Sequence, residues 1–123
     1  MVQRLRINEF VSSCMTRRRG EEAYQLLAPY MRSGPIEVEF DGANVVSSSF
    51  LDELVRNLNQ ADQTEAVTFV TDDDQILDKL ARITGTRGAV IYVRSEGAER
   101  HRVAPQTGVE YTTEFVSDKI FAD

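Results

Sequence analysis

The chain has 123 residues, with 20 acidic against 14 basic side chains, a formal net charge of −6 and one cysteine. A chain of this length is expected to fold as one domain over residues 1–123, able to bury roughly two thirds of its unfolded surface without covalent staples. The lone Cys14 excludes an internal disulfide and a cysteine metal quartet. The acidic balance argues against a generic nucleic-acid backbone binder, and the lack of a signal-peptide pattern or long apolar run predicts a cytoplasmic protein with no membrane span.

Residues 4–11 alternate Leu5 and Ile7 with Arg4, Arg6 and Asn8, which predicts a first strand, at an edge, with its basic residues facing water. Helix-start residues follow from Ser12 to Thr16, and Ala23, Tyr24, Leu27 and Met31 recur at helical spacing within residues 21–32. Positive charge at a helix start opposes the dipole. Arg17, Arg18 and Arg19 are therefore expected in a solvated loop ahead of a helix that begins near Gly20, the alternative being an anion site or an acidic-partner contact. Pro29 should kink or shorten this helix, and Ser33, Gly34 and Pro35 should end it.

Ile36, Val38 and Phe40 alternate with Glu37 and Glu39 as a strand, and from Phe50 the period changes to helical, with Leu51, Leu54, Val55, Leu58 and Ala61 on one face. Ser47, Ser48 and Ser49 sit at the joint. Ser49 followed three residues later by Asp52 has the form of a capping box, so Ser49 is the expected helix cap. Asp52, Glu53, Arg56, Asn57 and Gln60 form the polar face of this helix, which is expected to be solvated.

A polar loop over residues 62–65 leads to a short apolar strand at 66–70. Asp72, Asp73 and Asp74 then favour a helix start, and Ile76, Leu77, Leu80, Ala81 and Ile83 give that helix an apolar face until Gly85 and Gly88 break it. The run AVIYV at 89–93 reads as a central strand covered on both sides. Residues 95–102 read as a charged loop. Val103 and residues 109–115 flank a turn-like Pro105–Gly108, which fits either an antiparallel hairpin or a lone strand followed by a short helix at 115–121, the second being the expected arrangement. Strands alternating with helices predict an α/β domain, a mixed sheet of about four to five strands with helices packed against it.

No nucleophile and base are paired by spacing, so no catalysis, cofactor or metal site is expected. His101 reads as a solvated side chain and Cys14 as a small buried thiol, while Asp72–Asp74 lack the spaced ligands of a calcium loop. Two readings of the serine joint remain. It binds a protein partner through Ser47, Ser48, Ser49, Asp52, Glu53 and Arg56, or it binds a small ligand such as a nucleotide at the carboxyl edge of the sheet, using Asp41 and Asn44. A phosphate on a serine here would meet unsatisfied helix amides without unfolding the domain.

The stretch FDGANVVSSSFLDEL, residues 40–54, resembles the signature of the STAS-like domain family of prokaryotic proteins, and Thr16, Arg17, Gly20 and Glu21 sit where that family has a Ser/Thr-Arg helix start. That family is similar in turn to the anti-sigma factor antagonists, small STAS domains carrying an Asp-Ser-Ser-Gly motif. Laid on this chain, the motif places its serine pair at Ser48 and Ser49, with Ser47 in place of the aspartate and Phe50 in place of the glycine. The resemblance implies a single STAS-like domain with a signalling role. It also implies a partner that is an anti-sigma factor or histidine-kinase-like ATPase, and phosphorylation at Ser49 or, second, Ser48. Oligomeric state is left open.

Overall fold

The computed structural model describes residues 2–43 and 45–105. Four strands run parallel in chain order, β1 (Gln3–Arg6), β2 (Ile36–Glu39), β3 (Val67–Val70) and β4 (Ile91–Arg94), and β5 (His101–Val103) closes the sheet antiparallel to β4. The crossovers are α1 (Arg17–Met31), α2 (Ser48–Gln60) and α3 (Asp74–Arg87). Among the described residues the fold is thus α/β, with a five-stranded mixed sheet as the alternation predicted.

Sequential parallel strands joined by right-handed crossovers place α1, α2 and α3 on one face of the sheet. The burial pattern agrees. Leu5, Ile36, Val38, Phe69, Ile91 and Val93 point into the core, where α2 packs between α1 and α3. The opposite face is covered, among the described residues, by charge: Arg94 holds Glu37 through two 2.8 Å bonds, Arg4 pairs with Glu39 and Glu96, and the Arg100 guanidinium lies 3.9 Å over the Tyr92 ring.

This one-sided layering corrects the reading of AVIYV. In β4 only Ile91 and Val93 are buried, whereas Tyr92 and Arg94 are half-buried on the charged face. The strand buried on both sides is β3, third of five in the sheet, where even Thr68 and Val70 are covered. Position in the sheet, more than apolar content, decides which strand is enclosed.

Four boundaries also move. The first strand stops at Arg6 and a 3-10 turn takes Ile7–Glu9, so β1 is short, though it is the edge strand expected. Helix α1 starts at Arg17, not near Gly20, because Thr16 caps it, its hydroxyl accepting from the Arg19 amide at 3.1 Å. Helix α3 runs straight through Gly85 and ends at Gly88, whose φ of 63° supplies the left-handed cap. Residues 95–102 are not all loop, since β5 begins at His101. The expected turn after Pro105, and the strand and helix beyond it, lie outside the described residues, apart from Pro105 itself. No helix among the described residues is long and apolar enough to cross a membrane.

Candidate functional site: the serine turn

Among the described residues, the segment after β2 is tied at several positions. Asp41 accepts from the Thr71 hydroxyl at 2.7 Å and from the Asp72 amide at 3.2 Å, and Asn8 donates to the Gly42 carbonyl at 3.1 Å. Val46 pairs with Cys14 in an isolated parallel bridge, the Ser47 amide donates to the Cys14 carbonyl at 2.9 Å, and Lys79 on α3 donates to the Val46 carbonyl at 2.8 Å. Few of these contacts are local in sequence; the turn is held by the loop after β1 on one side and by α3 on the other.

The helix cap is Ser47, two residues earlier than the capping-box pattern placed it. Its hydroxyl accepts from the Phe50 amide at 3.1 Å and donates to the Met15 carbonyl at 2.7 Å. Any of the three serines has the chemistry to cap. Ser47 is selected because its amide and hydroxyl are both engaged by the 14–15 segment, which fixes the extended conformation a cap requires. Ser48 and Ser49 therefore fall in the first turn of α2, exposed to solvent. Phe50, at the glycine position of the antagonist motif, is fully buried, and its carbonyl lies against Gly20 of α1, where an added Cβ would stand 2.5 Å from that oxygen.

Asp52 and Glu53 correct the solvated-face reading. They are only 8% and 7% exposed, because α1 and α3 flank α2 and cover its sides. Asp52 accepts from Arg17 of α1 at 2.6 Å and from Arg87 of α3 at 2.8 and 2.6 Å, so one carboxylate links three helices. Hydrogen bonds from Arg87, then from Arg17, hold its pKa down at about 2 despite the opposing effect of burial. Glu53 is likewise lowered, chiefly by Arg56, which it holds at 2.6 Å, and it also lies 3.6 Å from Arg17. Arg17 is thus a structural ion-pair partner inside the first turn of α1, rather than a loop cation. Arg19 pairs with Glu22 at 2.7 Å.

The structure gathers Ser47, Ser48, Ser49 and Arg56 onto or beside the exposed end and side of α2, while Asp52 and Glu53 are engaged with arginines. Asp41 lies at the carboxyl edge of the sheet with its carboxylate already bonded, and Asn44 lies outside the described residues. Beside the turn are two side chains that the sequence reading did not single out, Met15 and Val45, which are 49% and 56% exposed. Val45 carried a signal, an aliphatic residue in a polar loop; Met15 carried none. Between them opens a cavity of about 330 Å³ whose walls include Asn8, Val11, Ser13 and Cys14. Burial raises the Cys14 thiol to about 11, so it lines the cavity as an inert apolar group.

A family model spans the segment that carries this turn. Residues 23–69 match the STAS-like domain of unknown function (DUF4325). This stretch is STAS-like. It takes in most of α1, then β2, the serine turn, α2 and all but the last residue of β3, including the whole of the 40–54 signature, while the Thr16–Glu21 helix start precedes it. No curated protein and no solved structure matches the chain.

Proposed function

We propose that this STAS-like domain is a non-catalytic regulatory module that binds a protein partner through the serine turn and the first turns of α2. The observation that carries the reading is the pairing of exposed hydroxyls, Ser48 and Ser49, with exposed apolar side chains, Met15 and Val45, on a turn anchored to two other elements. A pre-ordered surface of this kind loses little conformational entropy on binding. By its likeness to the anti-sigma factor antagonists, the partner is an anti-sigma factor or a histidine-kinase-like ATPase, and Ser49 is the first candidate for phosphorylation, Ser48 the second.

Phosphate on either serine would stand at the positive end of α2 and bring about −1.5 to −2 charges to the docking surface. Ser47 is excluded from that role, because its hydroxyl is spent on the cap and on Met15. The test is co-expression with ATPases encoded beside the gene, followed by co-purification and mass spectrometry of the serine turn. A stable complex weakened by Ser49→Asp supports the reading. Absence of both complex and phosphate, combined with a thermal shift on adding a nucleotide, would replace it with the small-ligand reading, for which the cavity at the carboxyl edge is the available volume.

A further inference from the structure

The chemistry of the partner's contact can be taken one step further from the two depressions that flank Val45 and Val46. On the β1 side is the cavity with Met15 and Val45 at its lips. On the α3 side is a smaller one of about 110 Å³, lined by Val45, Val46, Asp73, Gln75, Ile76 and Lys79. The Lys79 ammonium gives one hydrogen to the Val46 carbonyl at 2.8 Å and forms no ion pair among the described residues, which leaves two donors on a partly buried cation. Asp73 shares this depression, but its carboxylate caps α3 by accepting from the Gln75 amide at 2.8 Å.

Two helix starts lie close to this cation. Ser47 joins the starts of α1 and α2 by its bond to Met15, so two helix dipoles present their positive ends at one place. Arg18, in the first turn of α1, also lacks an ion pair among the described residues. The chain leading into α3 at the same edge carries Asp72, Asp73 and Asp74, so any attraction for an anion is confined to Lys79 and the adjoining helix starts.

We propose that the partner offers an aliphatic anchor side chain beside a carboxylate, the anchor entering between Met15 and Val45 and the carboxylate reaching Lys79. This rests on the reading of the serine turn as a protein-binding surface and specifies what that surface accepts. An aliphatic side chain fits a cavity of this size with apolar lips. A carboxylate meets a cation that is unpaired among the described residues and has two of its three donors unused.

The test uses isotope-labelled full-length protein and three synthetic peptides: Gly-Glu-Leu-Glu-Gly, the same with lysine for both glutamates, and the same with glycine for leucine. The acidic leucine peptide is expected to shift the amide resonances of Met15, Val45 and Lys79, and the other two to bind roughly tenfold more weakly or not at all. Lys79→Gln should weaken the acidic peptide roughly two- to fivefold, as expected for a partly exposed ion pair, and Val45→Ser should weaken it while leaving the spectrum of the free protein dispersed. Equal or stronger shifts with the lysine peptide would overturn the proposed chemistry yet leave the serine turn as a partner surface. If no peptide moves these resonances, the proposal is wrong, and the co-purification experiment independently decides whether the turn binds a partner at all.

Discussion

Removing the charge of Asp52 by Asp52→Asn is the sharpest test of the helix layer. In the folded protein Asp52 is 8% exposed, and its carboxylate is bonded to Arg87 at 2.8 and 2.6 Å and to Arg17 at 2.6 Å. Its pKa falls from 3.8 to about 2 on that account. At 1.36 kcal/mol per unit, the drop corresponds to about 2 kcal/mol of folding stability at neutral pH. Arg17 has more than half of its side chain in water, so its exposed bond is worth little and most of the effect belongs to Arg87.

The sign of the pH dependence follows from the direction of the shift. The unfolded carboxylate binds its proton more readily than the folded one, so the stabilisation is complete above an unfolded value of about 4 and is lost as the pH falls through about 2. Urea unfolding followed by circular dichroism, at pH 7 and in steps toward pH 2, should show Asp52→Asn less stable by about 2 kcal/mol at neutral pH, with the gap closing in acid. An unchanged unfolding midpoint at pH 7, or a gap that persists in acid, would refute the assignment of Asp52 as the link between α1, α2 and α3.

Gly20→Ala should destabilise the fold by about 1–3 kcal/mol despite the better helix propensity of alanine, because its Cβ would meet the Phe50 carbonyl; thermal unfolding measures it. Ser47→Ala should cost about 0.5–2 kcal/mol by loss of the cap, whereas Ser49→Ala should stay within about 0.5 kcal/mol, and comparing the two in urea distinguishes the cap from its neighbours. Gly88→Ala should cost about 1 kcal/mol, since the α3 cap there requires a left-handed backbone, and denaturant titration checks it. Ser49→Asp should leave the circular dichroism spectrum and unfolding midpoint near wild type while weakening the partner complex, read by calorimetry once the partner is in hand.

What could be read from the chain alone was the order of its elements and the place of the candidate site. The shift from period two at Ile36–Phe40 to helical spacing at Phe50–Leu58 marks a strand feeding a helix, and a serine cluster at such a joint is local chemistry that needs no tertiary information. The assignment of Ser49 as cap failed because adjacent serines are equivalent by propensity. Only the 14–15 backbone, brought alongside by the β1–α1 connection, selects Ser47. Asp52 and Glu53 were misread for a related reason: a helical wheel separates polar from apolar residues, but cannot show that α1 and α3 will cover the edges of the polar face and supply arginines there.

The same division applies to the whole molecule. The α/β alternation, the apolar faces of the helices and the strand-to-helix joint with its hydroxyls are local properties, because each follows from side-chain periodicity and capping chemistry within a few residues. Tertiary structure decided that β3 rather than β4 is the enclosed strand, that Arg17 and Arg87 converge on one carboxylate, and that Met15, Val45 and Lys79 surround the serine turn. These residues lie 30 or more positions from their decisive partners, apart from Val45 beside the turn itself, and only the stacking of three crossovers on one face of the sheet brings them together.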